Sequence, residues 1–218
     1  MITRSEENYL KAIFSVHMQT KKNVSTNDIA NLLDTSPASV TEMIKKLQEK
    51  KLVIYEKYNG VRLSSKGEDN AIKTIRKHRL WETFLVNKLD FSWSEVHDVA
   101  EQLEHIKSNK LTDKLDHFLN YPKFDPHGDP IPTKNGVFNF QERISIFEMD
   151  INEEGIIMGV SLDNKDFLDH LTKLKISIGT RVRVLEQIKF DQSMKIEYDS
   201  KKEHISKEIA ENILIKIN

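Results

Sequence analysis

The chain has 218 residues, 33 Lys and Arg against 34 Asp and Glu, and no cysteine. That length is enough for two or three small domains with cores of their own. The lack of cysteine excludes disulfides, zinc sites built on thiolates and thiol catalysis. With no run of ~18 apolar residues and no signal-peptide region, we expect a cytoplasmic protein without a membrane span.

Charge is distributed unevenly along the chain. Residues 1–77 contain 14 Lys and Arg against 9 Asp and Glu, a net of +5, whereas the remainder contains 19 against 25, a net of −6. A basic first third followed by an acidic remainder is the asymmetry expected of a DNA-binding part joined to a different body.

Three helices are predicted in the first 50 residues. Residues 3–19 begin with a Thr-x-x-Glu capping box and carry an apolar stripe. Residues 24–33 form a second helix with Ser25 as N-cap, and residues 36–50 form a third that starts with Ser36 followed by Pro. Two short helices joined by a tight turn indicate a helix-turn-helix.

A hairpin follows in residues 52–63, because Asn59-Gly60 lies between two β-rich runs. Helix-turn-helix and hairpin together predict a winged helix, in which short polar residues reach base edges and cations hold phosphates. The alternative is that the hydroxyls only cap helices, the lysines are solvated and the fold binds protein. The candidate DNA contacts are Ser36, Pro37, Ser39, Thr41, Glu42, Lys45, Lys46, Lys57 and Arg62.

Two further helices carry imidazole and carboxylate groups at helical spacing. A long helix from residue 64 to about 87 places His78 and Glu82 one turn apart. The next helix has four such residues at i, i+4, i+7 and i+8, which share one face: His97, Glu101, Glu104 and His105. Solvated i,i+4 pairs are the ordinary explanation of one such pair, but two such helices favour a site for Mn, Fe, Zn or Co.

The aromatic and leucine residues around these helices provide more apolar surface than a three-helix unit of this size can bury by itself. The excess indicates a dimer interface, and the alternative is an ordinary core. These aromatic and leucine residues are Trp81, Phe84, Leu85, Phe91, Trp93, Leu111, Leu115 and Phe118. Residues 121–132 contain four of the five prolines, so neither helix nor central strand is expected there. We expect His127 to be a loop residue rather than a ligand.

Short β-rich runs dominate the end of the chain. Five predicted strands around one helix, residues 166–174, indicate a small SH3-like barrel. The predicted fold class is mainly α with α+β parts. Its three domains are a winged helix-turn-helix at 1–72, a helical metal-binding and dimerisation domain at 73–141, and an SH3-like β-barrel at 142–218.

The order of these motifs resembles the diphtheria toxin repressor family of iron- and manganese-dependent transcriptional regulators, in its long three-domain form. The motifs that carry the resemblance are Arg-Lys-His-Arg-Leu at 76–80, the segment 97–105 and His-Gly-Asp-Pro-Ile-Pro at 127–132. The last domain resembles the ferrous-transport-protein-A-like barrel of long members. The resemblance implies a homodimer that reads a palindromic operator on double-stranded DNA, with Mn(II) or Fe(II) as corepressor.

The resemblance also implies two ligand sets. One consists of His78, Glu82 and His97, and the other of Glu101, Glu104 and His105. The first-helix ligand of the family, usually Met or Asp, is Asn8 in this chain, and Lys11 stands where short members have a glutamate. Two candidates for ligands from the last domain are Asp163 and Asp166. Because all these donors are oxygen or nitrogen, Mn(II) is favoured, while Fe(II) also fits.

Two other functional hypotheses remain. One is a winged-helix regulator that senses something other than a metal, with structural His/Glu faces. The other is an enzyme whose paired His/Glu helices hold a hydrolytic or oxidative metal. No nucleophile or general-base motif accompanies the site, which makes the enzyme the weaker hypothesis.

Overall fold

The structure, a computed structural model, describes residues 2–56 and 59–217. It contains two compact units, and each is assembled from separate segments of the chain. The first unit consists of Met1–His78, Glu101–Asn109 and Pro132–Val137. The second consists of Arg79–Ala100, Lys110–Ile131 and Phe138–Asn218.

The first unit begins with the three predicted helices: α1 (Arg4–Thr20), α2 (Thr26–Leu32) and α3 (Pro37–Glu49). The predicted capping box is present at Thr3, whose backbone N–H donates to Glu6 Oε2 at 2.9 Å while its hydroxyl accepts from Glu6 N. Ser36 caps α3, with Pro in its first turn. The short turn between α2 and α3 confirms the helix-turn-helix.

The predicted hairpin is also present. Strands β1 (Val53–Glu56) and β2 (Gly60–Leu63) pair antiparallel. Gly60 has φ +90°, and a Cβ at this position would lie 2.7 Å from the carbonyl oxygen of Val24. Only glycine fits this approach without strain. Lys57, one of the predicted DNA contacts, lies outside the described residues.

The helices that follow are α4 (Ser65–Leu89), α5 (Val96–Leu103) and α6 (Asn109–Phe118). In the second unit, Leu80, Leu115 and Ile131 form a small buried cluster. The prediction of one helix running through His105 is wrong, because α5 ends at Leu103 and the next residues form a turn in which Ile106 N donates to Leu103 O. Glu104 and His105 therefore lie in the turn that follows α5 and not on the helix itself.

The C-terminal part of the second unit is a six-stranded antiparallel sheet in the order β3-β8-β4-β5-β6-β7. The strands are β3 (Ile144–Ser145), β4 (Glu154–Val160), β5 (Arg181–Gln187), β6 (Met194–Tyr198), β7 (Lys201–Ile205) and β8 (Ile213–Ile217). Helix α7 (Lys165–Leu174) packs its apolar residues on the sheet, and α8 (Lys207–Asn212) precedes β8. Sequence analysis missed β7 and α8, since a charged edge strand lacks the apolar alternation that identifies a strand.

The proline-rich loop, residues 121–131 of the second unit, contacts strand β4 of the same unit. Gly128 has φ +87°, and a Cβ there would lie 2.0 Å from Met158 O. The carbonyl oxygen of His127 accepts a 3.0 Å hydrogen bond from Val160 N on β4. Apart from the isolated bridge Phe124–Pro130, the loop has no strand or helix, as predicted. In the part of the chain that the structure describes, none of the helices is long and apolar enough to cross a membrane.

Candidate metal centres and DNA-binding face

A buried carboxylate lies at the centre of the first unit. Glu104 is 1% exposed, and its Oε2 accepts a 2.8 Å hydrogen bond from Lys11 Nζ. His78 Nδ1 lies 2.6 Å from the same oxygen. Burial raises the pKa of Glu104, but the hydrogen bond to His78 and the charge of Lys11 outweigh burial, so the pKa lies below its ordinary value. Glu104 is therefore an ionised carboxylate that already has a cationic partner.

His105 is oriented by a residue that sequence analysis did not single out. Its Nδ1 lies 2.5 Å from Oε2 of Glu7 on α1. Since a carboxylate only accepts, Nδ1 carries the hydrogen, and in the neutral ring the lone pair is on Nε2. Such a carboxylate–imidazole pair is the arrangement that commonly orients a histidine ligand toward a metal.

Two buried polar atoms of the first unit, one of them on this histidine, have the chemistry of metal ligands. Among the described residues, His105 Nε2 and Asn8 Oδ1 have no hydrogen-bond partner. Nε2 lies 3.6 Å from Oε1 of Glu104. Buried acceptors without donors are costly, and coordination to a divalent cation is one way in which each of them could be satisfied. We call Glu7, Asn8, Lys11, His78, Glu101, Glu104 and His105 the Glu104 cluster.

A second candidate centre lies within the second unit. Glu82, Asp125 and His127 each place one donor atom within 4.8 Å of the others, and they are 2%, 7% and 6% exposed. His127 Nε2 donates to the carbonyl oxygen of Trp93 at 2.8 Å, so Nδ1 faces Glu82 Oε1 at 3.8 Å. His97 Nδ1 lies 3.5 Å from the same Glu82 oxygen. We call Glu82, His97, Asp125 and His127 the Glu82 cluster.

Protonation of His127 and Asp125 reduces the repulsion between the carboxylates of the Glu82 cluster. Burial, with help from Glu82 and Asp129, raises the pKa of Asp125 to about 7. Burial lowers the pKa of His127, but the carboxylates of Glu82 and Asp125 outweigh it and raise the pKa to about 9. A proton on His127 therefore occupies the position that a bound cation would take.

Arg79 positions the loop that carries Asp125 and His127. Its guanidinium donates to Pro130 O at 2.6 Å and to Asp129 Oδ2 at 2.8 Å, and lies 3.4 Å from Asp125 Oδ2. Asp125 Oδ1 accepts from the backbone N–H groups of His127 and Asp129 at 2.9 Å each. These contacts set the positions of Asp125 and His127 within the loop.

The predicted ligands are thus distributed between the two clusters. Glu82 lies one helical turn after His78 on α4 and beside His97, while Glu101 Oε1 is 3.7 Å from Lys11 Nζ in the Glu104 cluster. Asp163 and Asp166 are exposed before and in the first turn of α7, and neither joins a group of donor atoms like the Glu82 cluster in the described residues. His127, expected to be an ordinary loop residue, is instead buried among carboxylates. Asp-Pro-His at 125–127 was the available signal, because it places two ligand-type side chains in one rigid loop.

All predicted DNA contacts on α3 are exposed: Ser36, Pro37, Ser39, Thr41, Glu42, Lys45 and Lys46. Some hydroxyls already have local partners, since Ser36 Oγ accepts from Ser39 N at 3.1 Å and Thr41 Oγ1 donates to Pro37 O at 2.8 Å. Arg62 is exposed on the hairpin, 3.9 Å from Glu56 Oε1. The face therefore presents cations and hydroxyl oxygens to solvent.

Three family models match successive parts of the chain. Residues 1–61 match "Iron dependent repressor, N-terminal DNA binding domain", and residues 64–133 match "Iron dependent repressor, metal binding and dimerisation domain". Residues 145–217 match the FeoA domain. These matches follow the order of winged helix, helical part and antiparallel sheet.

Similar proteins support the same family. The HTH-type transcriptional regulator MntR of Listeria monocytogenes serotype 4a (strain HCC23) is 33% identical over 133 residues, which are 61% of this chain and 91% of that protein. A probable metal transport system membrane protein of Chlamydia trachomatis serovar D is 44% identical over 72 residues, but these are only 16% of that protein and 33% of this chain.

A solved structure described as a manganese-dependent transcriptional repressor in complex with manganese is 32% identical. It has a TM-score of 0.88 and covers 98% of this chain and 100% of its own. The similarity therefore extends over all the elements described above. Such proteins regulate transcription and are not enzymes. This chain belongs to the iron-dependent repressor family of metal-dependent, DNA-binding transcriptional regulators.

Proposed function

We propose that this chain is a manganese-responsive repressor, which binds its operator when Mn(II) is bound. The observation that carries the proposal is the donor chemistry of the two clusters, in which every candidate ligand atom is oxygen or nitrogen. Carboxylate and amide oxygens suit Mn(II), and imidazole accepts Mn(II) and Fe(II) alike. Fe(II) is the second candidate. The names of the Listeria relative and of the manganese-bound structure support manganese.

The proposed ligands in the first unit are Asn8, Glu101, Glu104 and His105. The buried, unpartnered atoms of Asn8 and His105 support this set, and Glu7 holds the imidazole in the required tautomer. In the second unit we propose Glu82, Asp125 and His127. The set implied by the family resemblance, His78, Glu82 and His97, remains a proposal, as do Asp163 and Asp166 as further oxygen donors.

A divalent cation supplies coordination bonds that hold an amide, carboxylates and an imidazole from distant segments in one arrangement. Side-chain contacts between α1 and α3 connect this arrangement to the DNA-binding face. Helix α1 bears Asn8, and its Glu6 is hydrogen-bonded at 2.7 Å to Lys50, which ends α3. Cation binding to α1 therefore favours one placement of α3 and shifts a population of states toward DNA binding.

We further propose a homodimer acting on a palindromic operator in the cytoplasm. Exposed apolar residues in the second unit support a self-association surface, since Phe118 is 58% and Tyr121 62% exposed. The matched model is described as a dimerisation domain. A two-fold dimer presents two copies of α3, which is why palindromic half-sites are expected. We retain the division into 1–72, 73–141 and 142–218, which the three matched ranges support.

The test is binding of a fluorescent duplex selected from a random pool with Mn(II)-loaded protein. Anisotropy is measured after chelation and after addition of Mn(II), anaerobic Fe(II) or Zn(II). We expect chelation to weaken binding at least tenfold and Mn(II) to restore it. Equal affinity with and without chelator would refute the proposal, and restoration by Fe(II) but not Mn(II) would identify iron as the corepressor.

A further inference from the structure

Lys11 lies among groups that would otherwise attract a divalent cation. Its Nζ is 2.8 Å from Glu104 Oε2, 3.2 Å from His78 Nδ1 and 3.7 Å from Glu101 Oε1. Its side chain is 19% exposed, so the ammonium is mostly withdrawn from water. Removing one partner of such a mostly buried pair is strongly destabilising, because the other charge is left without compensation.

The two oxygens of Glu104 therefore have different partners. Oε2 accepts from Lys11 and His78, whereas Oε1 lies toward His105, whose Nε2 is buried without a partner. Glu104 thus uses Oε2 to accept a hydrogen bond from the Lys11 ammonium, while Oε1 faces His105 Nε2, a candidate metal ligand.

We propose that Lys11 is a tethered cation that takes the place of a second divalent ion, so that the Glu104 cluster binds one divalent ion per chain. This inference rests on the proposed function, since it concerns how many ions the cluster accepts. A second ion in this cluster would compete for Oε2 of Glu104, which already accepts a 2.8 Å hydrogen bond from the ammonium of Lys11. Charge repulsion at such a distance in a partly buried site excludes it.

The inference also explains how the metal-free cluster is stable. Without Lys11, Glu101 and Glu104 would lose the ammonium that lies within 3.7 Å of one carboxylate and 2.8 Å of the other, while His78 would remain beside Glu104. With Lys11, the cluster keeps one positive charge in the absence of metal. The remaining oxygen of Glu104, Oε1, and Nε2 of His105 would be the groups that hold a divalent ion.

The experiment counts bound Mn(II) in the full chain. All variants carry Glu82→Gln to weaken the Glu82 cluster, are freed of metal and are dialysed to equilibrium against Mn(II). The number of Mn(II) ions bound per chain is then measured by elemental mass spectrometry. We expect one equivalent per chain with Lys11 and with Lys11→Arg, which keeps the charge. We expect two with Lys11→Glu, which replaces the cation by a carboxylate.

A second measurement covers the case in which Lys11→Glu does not fold. Metal-free Lys11→Met should unfold at least about 5 °C below metal-free Lys11→Arg, because it leaves Glu104 without its ammonium partner. Saturating Mn(II) should reduce this difference. Equal midpoints for metal-free Lys11→Met and Lys11→Arg would overturn the inference.

The outcomes separate this inference from the proposed function. One equivalent in both Lys11→Arg and Lys11→Glu, or two with Lys11 itself, would overturn the inference while leaving a metal-binding cluster. No Mn(II) bound in any variant would overturn the proposed function at this cluster, and the inference with it.

Discussion

Glu6 on α1 and Lys50 at the end of α3 form an ion pair in which Lys50 Nζ lies 2.7 Å from Glu6 Oε1. Glu6 is only 4% exposed, whereas the side chain of Lys50 is partly open to solvent. The same carboxylate closes the capping box with Thr3, so it is anchored at both oxygens. Burial raises the pKa of Glu6, but the hydrogen bonds from Lys50 and Thr3 lower it below its ordinary value. This pair is a direct side-chain link between α1, which bears Asn8, and α3, the proposed DNA-binding helix.

Glu6→Gln should therefore weaken operator binding without changing metal binding. Glutamine keeps an oxygen for the capping box but loses the charge that holds Lys50. We expect operator affinity in saturating Mn(II) to fall roughly fivefold, equivalent to about 1 kcal/mol, with Mn(II) affinity unchanged by calorimetry. The exposed Glu49→Gln is the matched control, and an equal loss in that variant would show that charge near α3, not the pair, matters.

Glu104→Ala should destabilise the metal-free protein. Carboxylate repulsion in a metal-free site would predict the opposite, but here Glu104 is the shared acceptor of Lys11 and His78. Its removal takes away the nearest carboxylate of a mostly buried ammonium and leaves Glu101 at 3.7 Å, at a cost of about 3 kcal/mol or roughly 10 °C. Thermal unfolding in chelator measures this.

His105→Ala should lose metal-dependent DNA binding while melting within a few degrees of wild type without metal. The change removes the 2.5 Å hydrogen bond between Nδ1 and Glu7, worth about 1 kcal/mol, whereas Nε2 has no hydrogen-bond partner to lose in the described part of the chain. Anisotropy and Mn(II) titration measure both properties on the same sample. Normal metal-dependent binding by this variant would place the ligands elsewhere.

Mn(II) affinity of the Glu82 cluster should increase with pH. The pKa of His127 is raised to about 9, so below that pH its Nδ1 is protonated, and binding a cation must release this proton. Affinity should rise about tenfold per unit between pH 7 and 8, and more steeply below 7, where Asp125 also releases a proton. Titrations in a Glu104→Ala background isolate this cluster. A flat profile would contradict the assignment of Nδ1 as ligand.

Lysine and hydroxyl substitutions on α3 should affect DNA binding differently. Lys45→Ala or Lys46→Ala should weaken binding to every sequence and reduce the salt dependence by about one phosphate per subunit. Ser39→Ala should cost roughly 1–3 kcal/mol on the operator alone if its hydroxyl makes a good base contact. Unchanged salt slopes together with loss of binding in Arg62→Ala would assign the main contact to the hairpin.

Phe118→Glu should disrupt the homodimer. The ring is 58% exposed and lies 6.0 Å from Phe84, centroid to centroid, within an apolar surface. A charge there costs little in the monomer but is costly in an apolar interface. Light scattering should give a monomer mass and operator affinity should fall, while Phe190→Glu, at an almost fully exposed position, should change neither.

Local features of the sequence were sufficient for the winged helix. The capping residues Thr3, Ser25 and Ser36 and the Asn59-Gly60 turn act within three or four residues of themselves, and each element occurs where the pattern predicts it. The ligand types at 78–105 were also apparent, because helical spacing places His and Glu on common faces. Local propensity and periodicity determine such features without reference to the rest of the chain.

Other features depend on contacts between distant residues, and only the tertiary structure decided them. Lys11 meets His78 and Glu104 across 67 and 93 residues of chain, and His127 meets Glu82 through a loop held by Arg79. The end of α5 at Leu103 is likewise not marked by a proline or glycine. Whether a charged side chain finds a cation, a ligand or water depends on which segments pack around it, and that information is absent from residue spacing.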